Sequence, residues 1–141
     1  MQIYVGAKWE EKPRVRALYA RLRAAGHVIT HDWTQENDEG LLGNARLRYH
    51  LTCAGQDIHA VIRAELVVIL PHPQGKGMYA ELGAALALQR PILIVGDSET
   101  AGEWCIFLRH WLCQWVPDED ALLEALKKPI EDYYLWQSVH E

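Results

Sequence analysis

Basic residues are in the minority: 14 Lys and Arg stand against 19 Asp and Glu, a net charge of −5. That balance argues against a general nucleic-acid or anionic-membrane surface. No apolar run comes near the roughly 18 residues that a bilayer crossing requires. The three cysteines, Cys53, Cys105 and Cys113, are an odd number without a CxxC pair. Buried thiols in a reducing cytoplasm are therefore expected rather than disulfides or a zinc site. No other metal or cofactor is expected. Met1-Gln2-Ile3-Tyr4-Val5 enters a strand at once, so a signal peptide is not expected. Internal repeats, low-complexity segments and linkers are also missing, which leaves one domain over residues 1–141.

What is present is a globular composition. Half the residues are hydrophobic and 23% are charged, enough apolar material for a core at this length. Six tryptophans are many, and Trp104, Trp111, Trp115 and Trp136 crowd the last third. Core filling or a subunit interface would account for them. Gln2 to Gly6 reads as a first strand. Near Pro13 a helix begins and runs to about Ala25, with Val15, Leu18, Tyr19 and Leu22 on one stripe and Gly26 as C-cap. His27 to Thr30 is a second strand. Gln35 to Gly40 belongs to the longest loop, and Asn44 to Ala64 reads as a long helix whose apolar face is Leu47, Leu51, Ala54, Ile58, Val61 and Ile62. Asp57 lies beside that face, placed to cap, to pair or to point into a site.

Leu66 to Leu70 is a continuous apolar run, the signature of a strand buried on both faces. It ends in Pro71-His72-Pro73-Gln74-Gly75-Lys76-Gly77, and a helix is expected from Met78 through Leu88, with Glu81 in its first turn. A first-turn acid is often only a helix-start preference. Gly75-Lys76-Gly77 lacks the P-loop spacing, yet its backbone can still cradle an anion. Pro91 to Val95 is a fourth strand. Trp104 to Leu108 fits a strand or a helical turn equally. Trp115-Val116 suits an edge strand, and Pro117 to Leu126 contains a last helix. The tail 129–141 carries Tyr133, Tyr134, Leu135 and Trp136, too apolar to lie loose. It is expected to dock on its own domain or at a subunit interface.

Strand-helix alternation of this kind predicts an α/β domain of three layers with a parallel sheet of four or five strands in the flavodoxin-like order 2-1-3-4-5. Its switch point falls between the first and third strands. The loops that meet there supply the candidate substrate-binding residues: Gly6 and Trp9, Asp32 and Trp33, and Gly75, Lys76, Gly77 and Met78. Asp32 and Trp33 suit hydrogen bonding and stacking on a planar ligand, or simply an acidic loop with one packed Trp.

Several stretches resemble the nucleoside 2-deoxyribosyltransferase family, whose superfamily includes nucleoside 5′-monophosphate N-glycosidases. They are Ile3-Tyr4-Val5-Gly6, Asp57-Ile58-His59-Ala60-Val61, the Leu66 to Leu70 strand, and above all Gly77-Met78-Tyr79-Ala80-Glu81-Leu82-Gly83 followed by Arg90-Pro91-Ile92. The resemblance covers roughly residues 2–95. It implies that Glu81 is the nucleophile, that Asp57 contacts and protonates the leaving base, and that Tyr4 orients the nucleophile. Two departures stand out. The family's transferases carry an acid in the glycine loop, where this chain has Gly75 and Lys76. They also borrow an asparagine from a neighbour's C-terminal region, where this tail offers only Gln137 and Ser138.

The resulting expectation is cleavage or transfer at the N-glycosidic bond of a (deoxy)nucleoside or nucleoside 5′-monophosphate, in a homo-oligomer. A carboxylate at C1′ and an acid for the departing base are what that chemistry needs. Lys76 between glycines would suit a 5′-phosphate. The alternatives are a non-catalytic nucleotide-sensing module of the same fold and an NAD-cleaving glycohydrolase.

Overall fold

In the computed structural model, residues 1–134 are described. Five parallel strands form one sheet in the order β2-β1-β3-β4-β5. They are β1 (Gln2–Ala7), β2 (Val28–Ile29), β3 (Leu66–Leu70), β4 (Ile92–Val95) and β5 (Cys113–Val116). Helices flank the sheet: α1 (Lys12–Ala24), α2 (Gly43–Arg63), α3 (Lys76–Ala87), α4 (Ser98–Ala101) and α5 (Glu119–Ala125). The expected three-layer α/β architecture and strand order are the ones found, with five strands rather than four.

The central strand explains the layering. All five residues of β3 are buried, as an uninterrupted run of Leu, Val and Ile requires when helices cover both faces. Its register against β1 pairs Ile3 with Leu66 and Gly6 with Ile69. On the other side of β1 lies β2, held by Gln2 opposite Val28. From the end of β1 the chain turns towards β2, and from the end of β3 towards β4. The carboxyl ends of β1 and β3 therefore open a crevice between diverging loops.

Helix α1 buries Val15, Leu18, Tyr19 and Leu22, the stripe its spacing predicts. It packs beside α5, where Arg14 meets Glu119 and Arg21 meets Asp120, each at 2.6 Å. Gly26 follows α1 at φ +90°, the left-handed conformation of a helix terminator.

Other expectations need correction. Helix α3 begins at Lys76, not Met78, because Pro71 to Gln74 already complete the turn and Gly75 serves as N-cap. Glu81 is thus in the second turn, with little help from the helix dipole, which fades beyond the first. In α2 the stripe predicted to be core-facing mostly is not: Leu47, Leu51, Ile58 and Ile62 are 39–65% exposed. Of that stripe Val61 is buried as expected, and Cys53 and Ala60 complete the side turned inward. Between β4 and β5 the chain forms the short helix α4, unseen in the sequence, and a 3-10 turn at Ile106–Arg109. Tyr133 is buried with its hydroxyl on the Ala125 carbonyl, and the Tyr134 hydroxyl donates to the Gln89 carbonyl at 3.2 Å. These two aromatics dock on their own domain. Leu135, Trp136, Gln137 and Ser138 lie outside the described residues. No helix among the described residues is long and apolar enough to cross a membrane.

Candidate active site

The crevice at the switch point is a cavity of about 350 Å³, at the small end of the range for ligand sites. Ala7 to Glu10 wall it from the end of β1, Trp33 and Glu36 from the loop after β2, and Gln74 to Met78 from the start of α3. Asp57 from α2 and Glu81 from α3 reach it as well.

Gly6 packs just behind the lining residues Met78 and Glu81. A Cβ on Gly6 would stand 3.0 Å from Ile69 Cδ1, 3.6 Å from Met78 Cγ and 3.9 Å from Glu81 Oε2. Met78 is buried beneath the loop, and Gly75 fits against it so closely that a Cβ there would meet Met78 Cε at 3.0 Å. Gly75, Met78 and Gly6 thus shape the cavity as a packed set, while Lys76 and Gly77 are exposed at its rim. Lys8, on the opposite rim, supplies a second cation that the sequence did not single out.

Trp33 is buried, and its indole Nε1 donates to the Val5 carbonyl at 2.7 Å. That bond fixes the loop after β2 to the end of β1. The exposed ring of Trp9 stacks on Trp33 with centroids 6.0 Å apart, and Lys12 Nζ lies 3.3 Å over Trp9. Of the substrate-binding candidates, Gly6 and Asp32 do not line the cavity, and Asp32 has another task. Its carboxylate accepts from the Thr34 backbone N–H at 3.0 Å and caps the turn Trp33–Gln35. It does not line the cavity, and its role is to shape the loop that carries Trp33.

The titratable groups are the centre of the arrangement. Glu81 Oε2 and the Tyr4 hydroxyl are both sealed from solvent, and neither makes a well-formed hydrogen bond. Burial raises the Glu81 pKa to about 7; Tyr4 pulls it down and the Glu36 charge pushes it up. Tyr4 itself is driven far above its usual range, first by burial and then by the Glu81 charge, so it stays a phenol. Asp57 is raised to about 8 by burial, by the hydrogen bond its protonated form donates to Glu36, and by the negative charges of Glu36 and Glu81. Two carboxyls that crowd one another cannot both ionise cheaply.

Glu36 and His31 are the residues that sequence reasoning missed. His31 Nε2 lies 3.2 Å from Glu36 Oε1 and 3.5 Å from Asp57 Oδ1. Glu36 sits in a polar loop with no periodicity, so nothing local marks it. The three side chains offer ligand atoms within 4.8 Å of one another, a donor set that a divalent cation accepts. Their contacts also form a proton-sharing cluster without one. The geometry can therefore place an ionisable carboxyl (Glu81) and a protonatable one (Asp57) on two sides of a small buried space.

No protein-family model matches the chain, and no curated protein matches it. A solved structure does. The CMP N-glycosidase BcmB of Clostridium botulinum is similar at a TM-score of 0.58 and 17% identity, over 90% of this chain and 98% of that one. At that identity the likeness is one of fold: the parallel α/β architecture is shared over nearly the whole length of both chains.

Proposed function

We propose that the crevice cleaves the N-glycosidic bond of a nucleoside or nucleoside 5′-monophosphate. The observation that carries this reading is the pair of carboxyls, Glu81 and Asp57, both raised to near neutrality and brought to one cavity from different helices. The resemblance at Glu81-Leu82-Gly83 and the fold likeness to a CMP N-glycosidase support it.

In this mechanism an oxygen of the Glu81 carboxylate attacks C1′. The C1′–N bond breaks, and its electron pair leaves with the base, which takes the proton held between Asp57 and Glu36. The Tyr4 phenol, unable to ionise, lies beside Glu81 and is placed to donate to the carboxylate as it ionises, which would fix the attacking oxygen. Water, or the nitrogen of an acceptor base, then attacks C1′ and frees Glu81, while its proton returns to Asp57. Trp9 and Trp33 offer aromatic surface for the base. Lys8, Lys76 and the backbone N–H groups opening α3 provide for an anion at the sugar's 5′ end. Three unpaired thiols suit a reducing compartment such as the cytoplasm.

The test is base release from a mixture of nucleosides, nucleoside monophosphates and NAD, followed by chromatography. Release from monophosphates, lost by a factor of about a thousand or more in Glu81→Gln, is the expected result. Release from NAD alone would favour a glycohydrolase of that substrate. Binding without release would favour a sensing module. Chelator treatment is expected to leave the rate unchanged, since no step requires a metal.

A further inference from the structure

Three side chains from separate stretches converge beside the cavity. His31 comes from the loop after β2, Glu36 from the end of the turn Trp33–Gln35, and Asp57 from α2. His31 Nε2 stands 3.2 Å from Glu36 Oε1 and 3.5 Å from Asp57 Oδ1, and all three side chains are largely shielded from solvent. No metal-ligand spacing joins them in the sequence. Among the described residues, no other His, Cys, Asp and Glu side chains meet in threes.

Ordinary hydrogen bonding does not close the gap between them. Nε2 carries at most one hydrogen and can give it to one oxygen. Glu36 Oε1 takes the shorter contact, and Asp57 Oδ1, sealed from solvent, is left without a well-formed partner. A buried acceptor in that state is costly, and a bound ion is one remedy. In the reaction above, a hydrogen ion shared by Asp57 and Glu36 fills the gap. A divalent cation is the other species that such donors accommodate.

The spacing and the donor types select the ion. Ligand atoms of a tetrahedral zinc, at about 2.0–2.1 Å from the metal, lie about 3.3–3.5 Å from one another. Two edges of this triangle measure 3.2 and 3.5 Å. The third stays within 4.8 Å, short enough for rotation of the Glu36 side chain to close. Octahedral magnesium would draw neighbouring ligands to about 2.9 Å, and both magnesium and calcium prefer oxygen throughout. An imidazole with two carboxylates suits zinc. Other histidines offer less. His50 pairs with Asp38 at 2.8 Å, but Arg46, 3.2 Å from the same oxygen, is a cation already in place.

We propose that His31, Glu36 and Asp57 form an inhibitory zinc site beside the cavity, with water as fourth ligand. Glu36 and Asp57 line the cavity, so the ion enters from there. Coordination releases the shared hydrogen ion to solvent, and Asp57 then has none to give the departing base. The site stands on the geometry alone, whereas the loss of turnover rests on the reaction proposed above. Because zinc must displace a hydrogen ion, a chelator strips it readily. The metal-free chain therefore keeps its full rate in chelator, and added zinc lowers it.

The experiment titrates zinc ion into the full chain at neutral pH against a fluorescent chelator, with circular dichroism to verify that variants fold. The native chain should bind one zinc with a dissociation constant of about 10 μM or below. His31→Ala and, separately, Glu36→Gln should each weaken binding at least about thirty-fold, while His50→Ala binds as the native chain does. In the base-release assay, zinc should halve the native rate near its dissociation constant, and His31→Ala should need at least about thirty times more. Absence of binding at about 100 μM zinc overturns the site. So does binding that survives His31→Ala and is lost in His50→Ala. Bound zinc that leaves base release unchanged overturns the inhibition. A chain that releases no base under any condition speaks against the reaction, and the binding data still decide the site.

Discussion

At the scale of single residues, the site depends on which carboxyl holds a proton. Glu81 must be ionised to attack and Asp57 must be protonated to donate. With pKa values raised to about 7 and about 8, both conditions meet in a narrow window near neutrality. The expected pH–rate profile is a bell. It rises through about pH 7 as Glu81 ionises and falls through about pH 8 as Asp57 loses its proton. In Glu36→Gln the Asp57 proton loses an acidic neighbour, so the alkaline limb should move to lower pH while the acid limb shifts little. Stopped assays across pH 5 to 10 measure both limbs.

The same shifts carry a cost in stability, with a definite sign. A carboxyl whose folded pKa lies above its unfolded value favours folding least where it must be ionised, so stability falls as pH rises from about 4.5 to about 7. Ionising Glu81 in place, against its ordinary 4.5, costs about 3 kcal/mol. Glu81→Gln should therefore raise the melting temperature by several degrees at pH 8 and leave it almost unchanged at pH 4.5. Equal melting temperatures at pH 8 would show that burial of Glu81 is slighter than its sealed Oε2 suggests. Gly6→Ala is the complementary change just behind the cavity lining. Its methyl would press Ile69 Cδ1 at 3.0 Å and approach Glu81 Oε2 at 3.9 Å. Thermal melts should show a loss of about 1–2 kcal/mol. Turnover should fall by less than about ten-fold, because at 3.9 Å the methyl only touches the Glu81 carboxylate and the side chain that must move is Ile69.

Among the elements, the strands were readable and the helix faces only partly. A run such as Leu66 to Leu70 admits one environment, burial on both sides, and the sheet order follows from the alternation of strands and helices. Helix α1 obeyed its periodicity because its stripe has a single core to cover. Helix α2 did not: periodicity reports that a face is apolar, not what covers it. The site was legible to the extent that it lies on element ends fixed by topology. Glu81, Asp57, Tyr4, Gly6, Trp33 and the Gly75 to Met78 loop all come together. Asp32 does not line the cavity, since an Asp two residues before a Thr is also a turn cap, and spacing alone cannot separate the two. Glu36 and His31 were invisible for another reason. They sit in an irregular loop, and only three-dimensional closure brings them to Asp57.

For the whole molecule, an acidic chain of net charge −5 gathers four acids, Glu10, Glu36, Asp57 and Glu81, about one small cavity and places Lys8, 3.7 Å from Glu10, and Lys76 at its mouth. An anionic ligand drawn between those lysines would bring its negative charge towards Glu81 and Asp57, whose pKa values already lie near neutrality. Their affinity for hydrogen ions would rise further, so occupancy and protonation are coupled. Titration calorimetry with the Glu81→Gln and native chains at pH 7.5, in buffers of different ionisation enthalpy, should register net proton uptake on binding a nucleoside monophosphate. The uptake should be smaller in the variant, and the native chain's affinity should weaken as pH rises. The sealed Glu81 Oε2 thereby sets two demands against each other: the form that holds an anion most tightly is the one whose attacking oxygen is capped by hydrogen. Such a chain would reach its best rate by holding its ligand less firmly than it is able to.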